Sequence, residues 1–133
     1  MTRNLDRFKV KLFNSQSNIW LRDAYLITID DELILRSNTR NGLLKDFPSV
    51  IPVQSTNERD KNGKLIYEGD LILRPDREEI YKISYCYNGC FGAFDGGSPF
   101  GKPFQFPYID SNSCTIIGNI YDNKDLAIEH NLI

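Results

Sequence analysis

The chain has 133 residues, the size of one ordinary domain, and this length can bury a hydrophobic core without disulfides or metals. A net charge of −2 and a pI of about 5.4 disfavour strong non-specific binding to a phosphate backbone, which requires a basic surface. Three cysteines do not form a disulfide framework, and no signal peptide or membrane-spanning apolar run is recognisable. We therefore expect a cytoplasmic protein with reduced thiols and no membrane contact.

The first third of the chain predicts strands separated by turns. Residues 8–13 alternate apolar and basic side chains, the pattern of a strand with one buried face, and residues 14–18 predict a polar turn. Residues 19–29 predict a strand that is too apolar for a simple surface ribbon. Residues 24–36 predict a hairpin that reverses direction at Asp30-Asp31.

The signals weaken after this hairpin. Asn41-Gly42 predicts a turn, and residues 43–47 predict one helical turn that Pro48 ends. Residues 49–53 predict a strand, and the polar residues 54–59 predict an irregular connection.

The most densely specified stretch is residues 58–73, which read E-R-D-K-N-G-K-L-I-Y-E-G-D-L-I-L. Asn62-Gly63 predicts a type I′ turn, in which both central residues have positive φ. Residues 65–67 and 71–73 predict two short strands with a sharp change of direction at Gly69. Asp70 can stabilise this corner, because its carboxylate can accept backbone N–H groups.

The second half of the chain predicts further strands and then a helix. Residues 80–87 and 90–94 predict a hairpin around Asn88-Gly89. Residues 95–107 contain three glycines and three prolines, which predicts a loop, and residues 108–109 and 114–117 predict short strands.

The chain ends in a predicted helix. Residues 124–129 predict a short helix capped by Asp122 or Asn123, with Leu126 facing inward. Repeats and linkers are absent from the sequence. We therefore predict a single all-β domain over residues 1–133 with a short C-terminal helix.

Two motifs of this sequence resemble a known family. Residues 60–72, D-K-N-G-K-L-I-Y-E-G-D-L-I, resemble the D-K-N-G-K-x-I-Y-E-G-D-I-V motif of the YopX family, small proteins of bacteriophages and prophages. Residues 116–123, I-I-G-N-I-Y-D-N, resemble that family's V-I-G-N-I-Y-E-N, which precedes a short helix. Gly92-Ala93-Phe94 resembles its glycine–aromatic strand, and residues 8–12 match its K-F-R-A-W more loosely.

The resemblance implies a β-rich fold that mixes sandwich-like and small-barrel features, a phage or prophage origin in a bacterial host, and self-association. It implies no activity, because the family is largely uncharacterised. The motif positions that we expect to specify the fold are Asp60, Asn62, Gly63, Tyr67, Glu68, Gly69, Asp70, Gly118, Asn119 and Tyr121.

Candidate catalytic and metal-binding residues are sparse. Glu68 and Asp70 could form a carboxylate pair, but a Gly-Asp corner that shapes a strand entry is the commoner use of these residues. Residues 60–63 lack the spacing of a calcium loop. Cys86, Cys90 and Cys114 lack a fourth ligand for structural zinc, so we predict no metal and no cofactor.

Aromatic residues cluster between residues 81 and 108. Aromatic side chains on a β surface can stack unpaired bases or form the centre of a protein interface, but they can also be core residues. The candidate interaction surface consists of Tyr81, Tyr85, Tyr87, Phe91 and Phe94. Because the chain lacks a basic excess, a protein partner is favoured over nucleic acid.

We therefore expect a non-enzymatic interaction or assembly module that self-associates. The alternative is a single-stranded nucleic-acid-binding module that uses the β-surface aromatics. An enzyme is the weakest hypothesis, since one histidine and scattered carboxylates do not form a recognisable acid–base set.

Overall fold

Most of the described chain forms antiparallel β-strands. The computed structural model describes residues 5, 8–74, 79–85, 91–94, 104–105 and 113–133, and for residues 85, 91–94 and 104–105 it describes the backbone alone. The strands are β1 (Val10–Asn14), β2 (Ile19–Trp20), β3 (Tyr25–Ile29), β4 (Glu32–Arg36), β5 (Asn41–Leu43), β6 (Val50–Arg59), β7 (Leu65–Tyr67), β8 (Asp70–Arg74), β9 (Glu79–Tyr85), β10 (Phe91–Phe94), β11 (Phe104–Gln105) and β12 (Thr115–Asn119). One short helix, α1 (Lys124–Glu129), follows, so the predicted all-β class with a short C-terminal helix is confirmed.

Backbone proximity divides the chain into two compact units. One unit comprises residues 10–53, and the other comprises residues 54–133 together with residues 1–9. We call them the 10–53 unit and the 54–133 unit. The single domain predicted over residues 1–133 stays a prediction.

The 10–53 unit contains a hairpin and a three-stranded sheet. β1 pairs with β2 around the polar turn at residues 15–18, as predicted. β3 pairs with β4, and β4 pairs with β5, which gives a three-stranded antiparallel sheet. Asp30 and Asp31 have φ values of 49° and 66°, as a tight hairpin turn requires at its two central residues, so this predicted hairpin is confirmed.

Two predictions for this unit are wrong. Residues 19–29 do not form one strand, because residues 21–24 are not in a strand and separate β2 from β3, which belongs to a different sheet. Asn41-Gly42 is not a turn but the start of β5, where Gly42 lies opposite Leu35 and its α-carbon faces the Phe47 ring. The reversal occurs earlier, at residues 37–40.

The helical turn predicted before Pro48 is present as a 3-10 turn over Leu44–Asp46.

The core of the 10–53 unit lies between its strands and the 3-10 turn. Leu12, Leu35 and Val50 are buried there, and Leu26 and Phe47 pack against them. Leu26 and Leu35 are directly paired on β3 and β4, so they define the inner face of the three-stranded sheet.

The 54–133 unit is organised around a five-stranded antiparallel sheet with the order β11-β10-β9-β8-β12. β8 is buried on both faces. Ile72 packs with Ile66 and Tyr81 on one face, whereas Leu71 packs with Ala127 of α1 on the other. This explains why residues 71–73 are continuously apolar rather than alternating.

Polar residues form strands in this unit where the sequence predicted none. The irregular connection predicted at residues 54–59 is wrong, because these residues continue β6, which pairs with β7 across a bulge. The hydroxyl of Thr56 donates to the Ile66 carbonyl at 2.8 Å, and the Ser55 hydroxyl accepts the N–H of Asn57, whose φ is 68°. Polar side chains thus make hydrogen bonds in place of the backbone hydrogen bonds that the bulge removes between β6 and β7.

The remaining elements follow the prediction closely. The hairpin of β9 with β10 is confirmed, and residues 104–105 form β11 within the predicted loop. The helix at residues 124–129 is confirmed with Leu126 half-buried, but its predicted side-chain cap is absent, because the Asn123 side-chain oxygen accepts the N–H of Asn119 instead. The predicted strand at residues 108–109 lies outside the described residues.

Candidate functional site

Asp60 joins the first sequence motif to β12. Its side chain is only 2% exposed. One carboxylate oxygen accepts the N–H groups of Asn62 and Lys64, both at 2.9 Å, and the other accepts the N–H of Ile116 at 3.0 Å. Burial alone would raise the pKa of Asp60, but the hydrogen bonds from Ile116, Lys64 and Asn62 outweigh it and hold the pKa below its ordinary value.

The turn at Asn62-Gly63 has a different geometry from the one predicted. Gly63 has a φ of 80° and donates its N–H to the Asp60 carbonyl, whereas Asn62 does not have positive φ. The type I′ assignment is therefore wrong. The buried Asp60 carboxylate organises the turn from its start, so only one residue needs the left-handed conformation that glycine tolerates.

The second corner matches its prediction. Gly69 has a φ of 86°, and the Asp70 carboxylate accepts the N–H of Tyr67 at 2.8 Å. The Gly69 N–H donates to the Ile83 carbonyl, and the Gly69 carbonyl accepts the N–H of Ile120. This corner therefore links β7 and β8 to β9 and to the residues after β12.

The second sequence motif forms a compact bonded turn. The Asn119 side-chain oxygen accepts the N–H groups of Tyr121 and Asp122, and the Asn123 side-chain oxygen accepts the N–H of Asn119. A β-carbon at Gly118 would lie 2.5 Å from that Asn123 oxygen. Position 118 thus requires glycine because the Asn123 side chain lies too close for a β-carbon, and not because of the φ angle at this residue.

The two motifs meet at Gly69. A β-carbon there would lie 2.8 Å from Cε2 of Tyr121 and 3.2 Å from Cγ1 of Ile120. Burial raises the pKa of the Tyr121 hydroxyl, and the nearby charges of Glu68 and Asp70 raise it further. Burial also raises the pKa of Glu68. The sequence predicted both motifs but could not show that they form one cluster.

This cluster has the chemistry of a structural junction. The carboxylates of Asp60 and Asp70 accept backbone N–H groups, which compete with a metal ion or a substrate proton for the same lone pairs. Within the described residues, no group of three or more His, Cys, Asp or Glu side chains could hold a metal ion. Cys114 is buried in the core, while Cys86 and Cys90 lie outside the described residues.

The predicted aromatic surface needs one correction. Tyr81 is fully buried between Ile72 and Ile83, and its hydroxyl donates to the Glu79 carboxylate, so it belongs to the core. Tyr85 pairs with Phe91 at the end of the β9–β10 hairpin, and Phe94 lies at the opposite end of β10. Tyr87 lies outside the described residues, and the side chains of the other three are not described.

A different apolar surface lies on the 10–53 unit. Tyr25, Ile27 and Ile29 share one face of β3, and their paired neighbours on β4 and β5 include Ile34 and Leu43. This face points away from Leu26 and Leu35. Tyr25 is 60% exposed and Ile29 is 48% exposed, while Ile27, Ile34 and Leu43 are half-buried. We call these five residues the outer sheet face.

One feature of the sequence indicates that the outer sheet face is apolar. Residues 25–27 and 33–35 are apolar at successive positions, so they present apolar side chains on both faces of the hairpin. A strand with one solvated face normally alternates instead. The pattern predicted that the hairpin was more than a surface ribbon, but the buried side became known only from the structure.

The 10–53 unit also contains a half-open cleft of about 390 Å³. It lies between the residues after β2 and the loop that joins β4 to β5, and Trp20, Arg22 and Arg40 line it. The Ser37 hydroxyl accepts the N–H groups of Thr39 and Arg40 at 3.2 and 2.7 Å, which fixes the loop. None of these residues was predicted to form a site.

Comparison with known proteins decides the family. The family model described as YopX protein matches residues 7–127. The chain belongs to the YopX family. This confirms the resemblance carried by the two motifs, which the fold brings together at Gly69.

A solved structure shares the YopX-like fold of this chain. The crystal structure of protein EF1440 from Enterococcus faecalis is similar with a TM-score of 0.58, and the match covers 89% of this chain and 96% of that one. At 21% identity, this similarity concerns the fold alone. Among curated proteins, no sequence matches the chain significantly. Within the described residues, no helix is long and apolar enough to cross a membrane.

Proposed function

We propose that this YopX-family protein is a non-enzymatic interaction or assembly module, encoded by a phage or prophage and acting in the cytoplasm of a bacterial host, and that it self-associates. The outer sheet face carries this proposal. Exposed tyrosine and isoleucine side chains on one regular sheet face are typical of the centre of a protein interface.

The chemistry of the motif cluster supports a non-enzymatic role. Its two buried carboxylates, Asp60 and Asp70, accept hydrogen bonds from the backbone. Glu68 is a half-buried acid with a raised pKa, but general acid–base catalysis also needs a positioned partner of complementary protonation state. The only histidine, His130, is exposed near the C-terminus, far along the chain from this corner.

The test is the oligomeric state in solution. Light scattering coupled to size exclusion, with protein from micromolar to millimolar concentration, should show a mass that rises with concentration. A mass equal to that of one chain at every concentration would remove self-association from the proposal.

Single-stranded nucleic-acid binding stays the alternative, and a local feature favours it. Trp20 lies among basic side chains, with the Lys11 ammonium 5.6 Å from its ring and Arg22 and Arg40 lining the adjacent cleft, although Asp23 adds a negative charge there. Aromatic and basic groups together can bind an unpaired strand. Salt-sensitive binding of a labelled oligonucleotide that Arg40→Ala weakens would support this alternative, and no binding at low salt would exclude it.

A further inference from the structure

The outer sheet face has an ordered arrangement of charge as well as an apolar centre. Glu32, Ile34 and Arg36 alternate along β4, so all three lie on this face. Ile34 sits in the middle, paired with Ile27 on one side and Leu43 on the other. The face thus has an apolar central row and opposite charges at its two ends.

Both charged side chains are exposed. Glu32 makes a 3.9 Å contact with the Lys45 ammonium, and both partners of that pair are at least half exposed, so it binds Glu32 weakly. No ion pair of Arg36 is recorded within the described part of the chain, and its side chain is exposed. Each group is available to a partner charge.

Two copies of a flat sheet face can stack around a two-fold axis in two ways. If the axis lies along the strands, the two β4 strands run parallel, and Arg36 meets the second copy's Arg36 while Glu32 meets its Glu32. If the axis crosses the strands at Ile34, the β4 strands run antiparallel, and Arg36 meets Glu32 at both ends. Like charges in close approach are unfavourable, so the charge pattern selects the antiparallel arrangement.

We infer that the outer sheet face binds a second copy of this chain face to face, with the two β4 strands antiparallel and Ile34 at the two-fold axis. Ile27 and Leu43 then pack against their own counterparts, and Tyr25 packs against Ile29 of the other copy. This inference deepens the self-association proposed above and rests on it.

The size of the face sets the strength of the association. Three strands of up to five residues cover about 14 by 17 Å. This is smaller than the roughly 800 Å² that each partner contributes to a standard stable interface. We therefore expect a dimer in exchange with monomer, with dissociation in the micromolar range or weaker.

Charge reversal on β4 tests the arrangement. Arg36→Glu alone and Glu32→Arg alone each place like charges together at both ends of the antiparallel dimer, and each should weaken dimerisation about tenfold. The double variant, with both substitutions in one chain, restores opposite charges and should dimerise like the natural protein. Sedimentation equilibrium at low salt measures all four proteins, and thermal unfolding confirms that each is folded.

The outcomes separate the inference from the proposal on which it rests. Weakening by each single substitution together with recovery in the double variant supports the antiparallel face-to-face dimer. Equal dimerisation by all four folded proteins would overturn this arrangement while leaving self-association in place through another surface, such as the edge strands β3 and β5. Monomers throughout would overturn both.

Discussion

Asp60 is the residue whose chemistry most directly links sequence to fold. Its buried carboxylate accepts three backbone N–H groups from two separate segments. Asp60→Ala leaves these donors without their acceptor, and a hydrogen bond to a charged group contributes about 1.5–3 kcal/mol net of its exchange with water. The cost of burying the carboxylate offsets part of this sum. We expect the free energy of unfolding to fall by about 3 kcal/mol in urea titrations. Asp46→Ala, at an exposed position, is the matched control and should be nearly neutral.

The effect of Asp60 on stability should depend on pH. Its pKa in the folded protein is lowered, so its contribution is complete above the ordinary pKa of an unfolded aspartate and is lost as the pH falls through the folded value. The stability difference between the natural protein and Asp60→Ala should therefore be constant near neutral pH and shrink in acid. A difference that persisted unchanged in acid would contradict this role for the ionised carboxylate.

A position can require glycine because of its positive φ angle or because a neighbouring side chain leaves no room for a β-carbon, and Gly63 and Gly69 differ in this respect. Their φ values, 80° and 86°, are nearly equal, but a β-carbon meets nothing within 4 Å at Gly63 and meets Tyr121 at 2.8 Å at Gly69. Gly63→Ala should cost about 1 kcal/mol for the backbone angle alone. Gly69→Ala should cost about 2 kcal/mol more because the Tyr121 ring must move.

Thermal and urea unfolding of these two variants measure the difference. Equal costs for the two substitutions would mean that Tyr121 does not press on the corner. Gly69→Val adds a branched side chain to the same strained position, so we expect it to abolish soluble expression.

At the scale of elements, the turn between β12 and α1 depends on the packing of Asn123 against Gly118. Gly118→Ala should displace the Asn123 side chain, break its bond to the Asn119 N–H, and cost about 2 kcal/mol. Asn123→Ala alone should cost about 1 kcal/mol. In the double variant the new methyl group meets no amide, so the combined cost in urea unfolding should be smaller than the sum. Strict additivity would contradict the contact.

The elements show which parts of the fold the sequence could predict. The hairpin at Asp30-Asp31, the corner at Gly69 and the helix at residues 124–129 have local causes, and they were predicted. The strand character of residues 54–59 was missed because it depends on pairing with β7 and on hydroxyl groups that bond across the bulge. The turn predicted at Asn41-Gly42 is wrong because the sequence does not show that this segment pairs with β4 as an edge strand.

The functional residues show the same division between local and distant causes. Both family motifs were readable, but their meeting at Gly69 and Tyr121 is a long-range contact. Tyr81 belongs to the core although its strand is rich in aromatics, because its neighbours Ile72 and Ile83 enclose it. The hairpin of β3 and β4 is apolar on both faces, so its sequence alone does not show which face is covered. The outer sheet face was therefore not predicted.

At the scale of the whole molecule, the central claim is that the outer sheet face mediates self-association. A folded chain gains little from leaving Tyr25 and Ile29 in water, whereas a second copy would bury them and provide about 25 cal/mol for each Å² removed from water. The same face on a destabilised chain would favour aggregation.

The most direct measurement compares Ile27→Asp with Thr28→Asp by sedimentation equilibrium. The two residues are neighbours on β3, but Ile27 lies in the outer sheet face and Thr28 lies on the other face, where it is exposed. We predict that Ile27→Asp yields a folded monomer at concentrations where the natural protein and Thr28→Asp both dimerise. Undiminished dimerisation of a folded Ile27→Asp variant would contradict the claim.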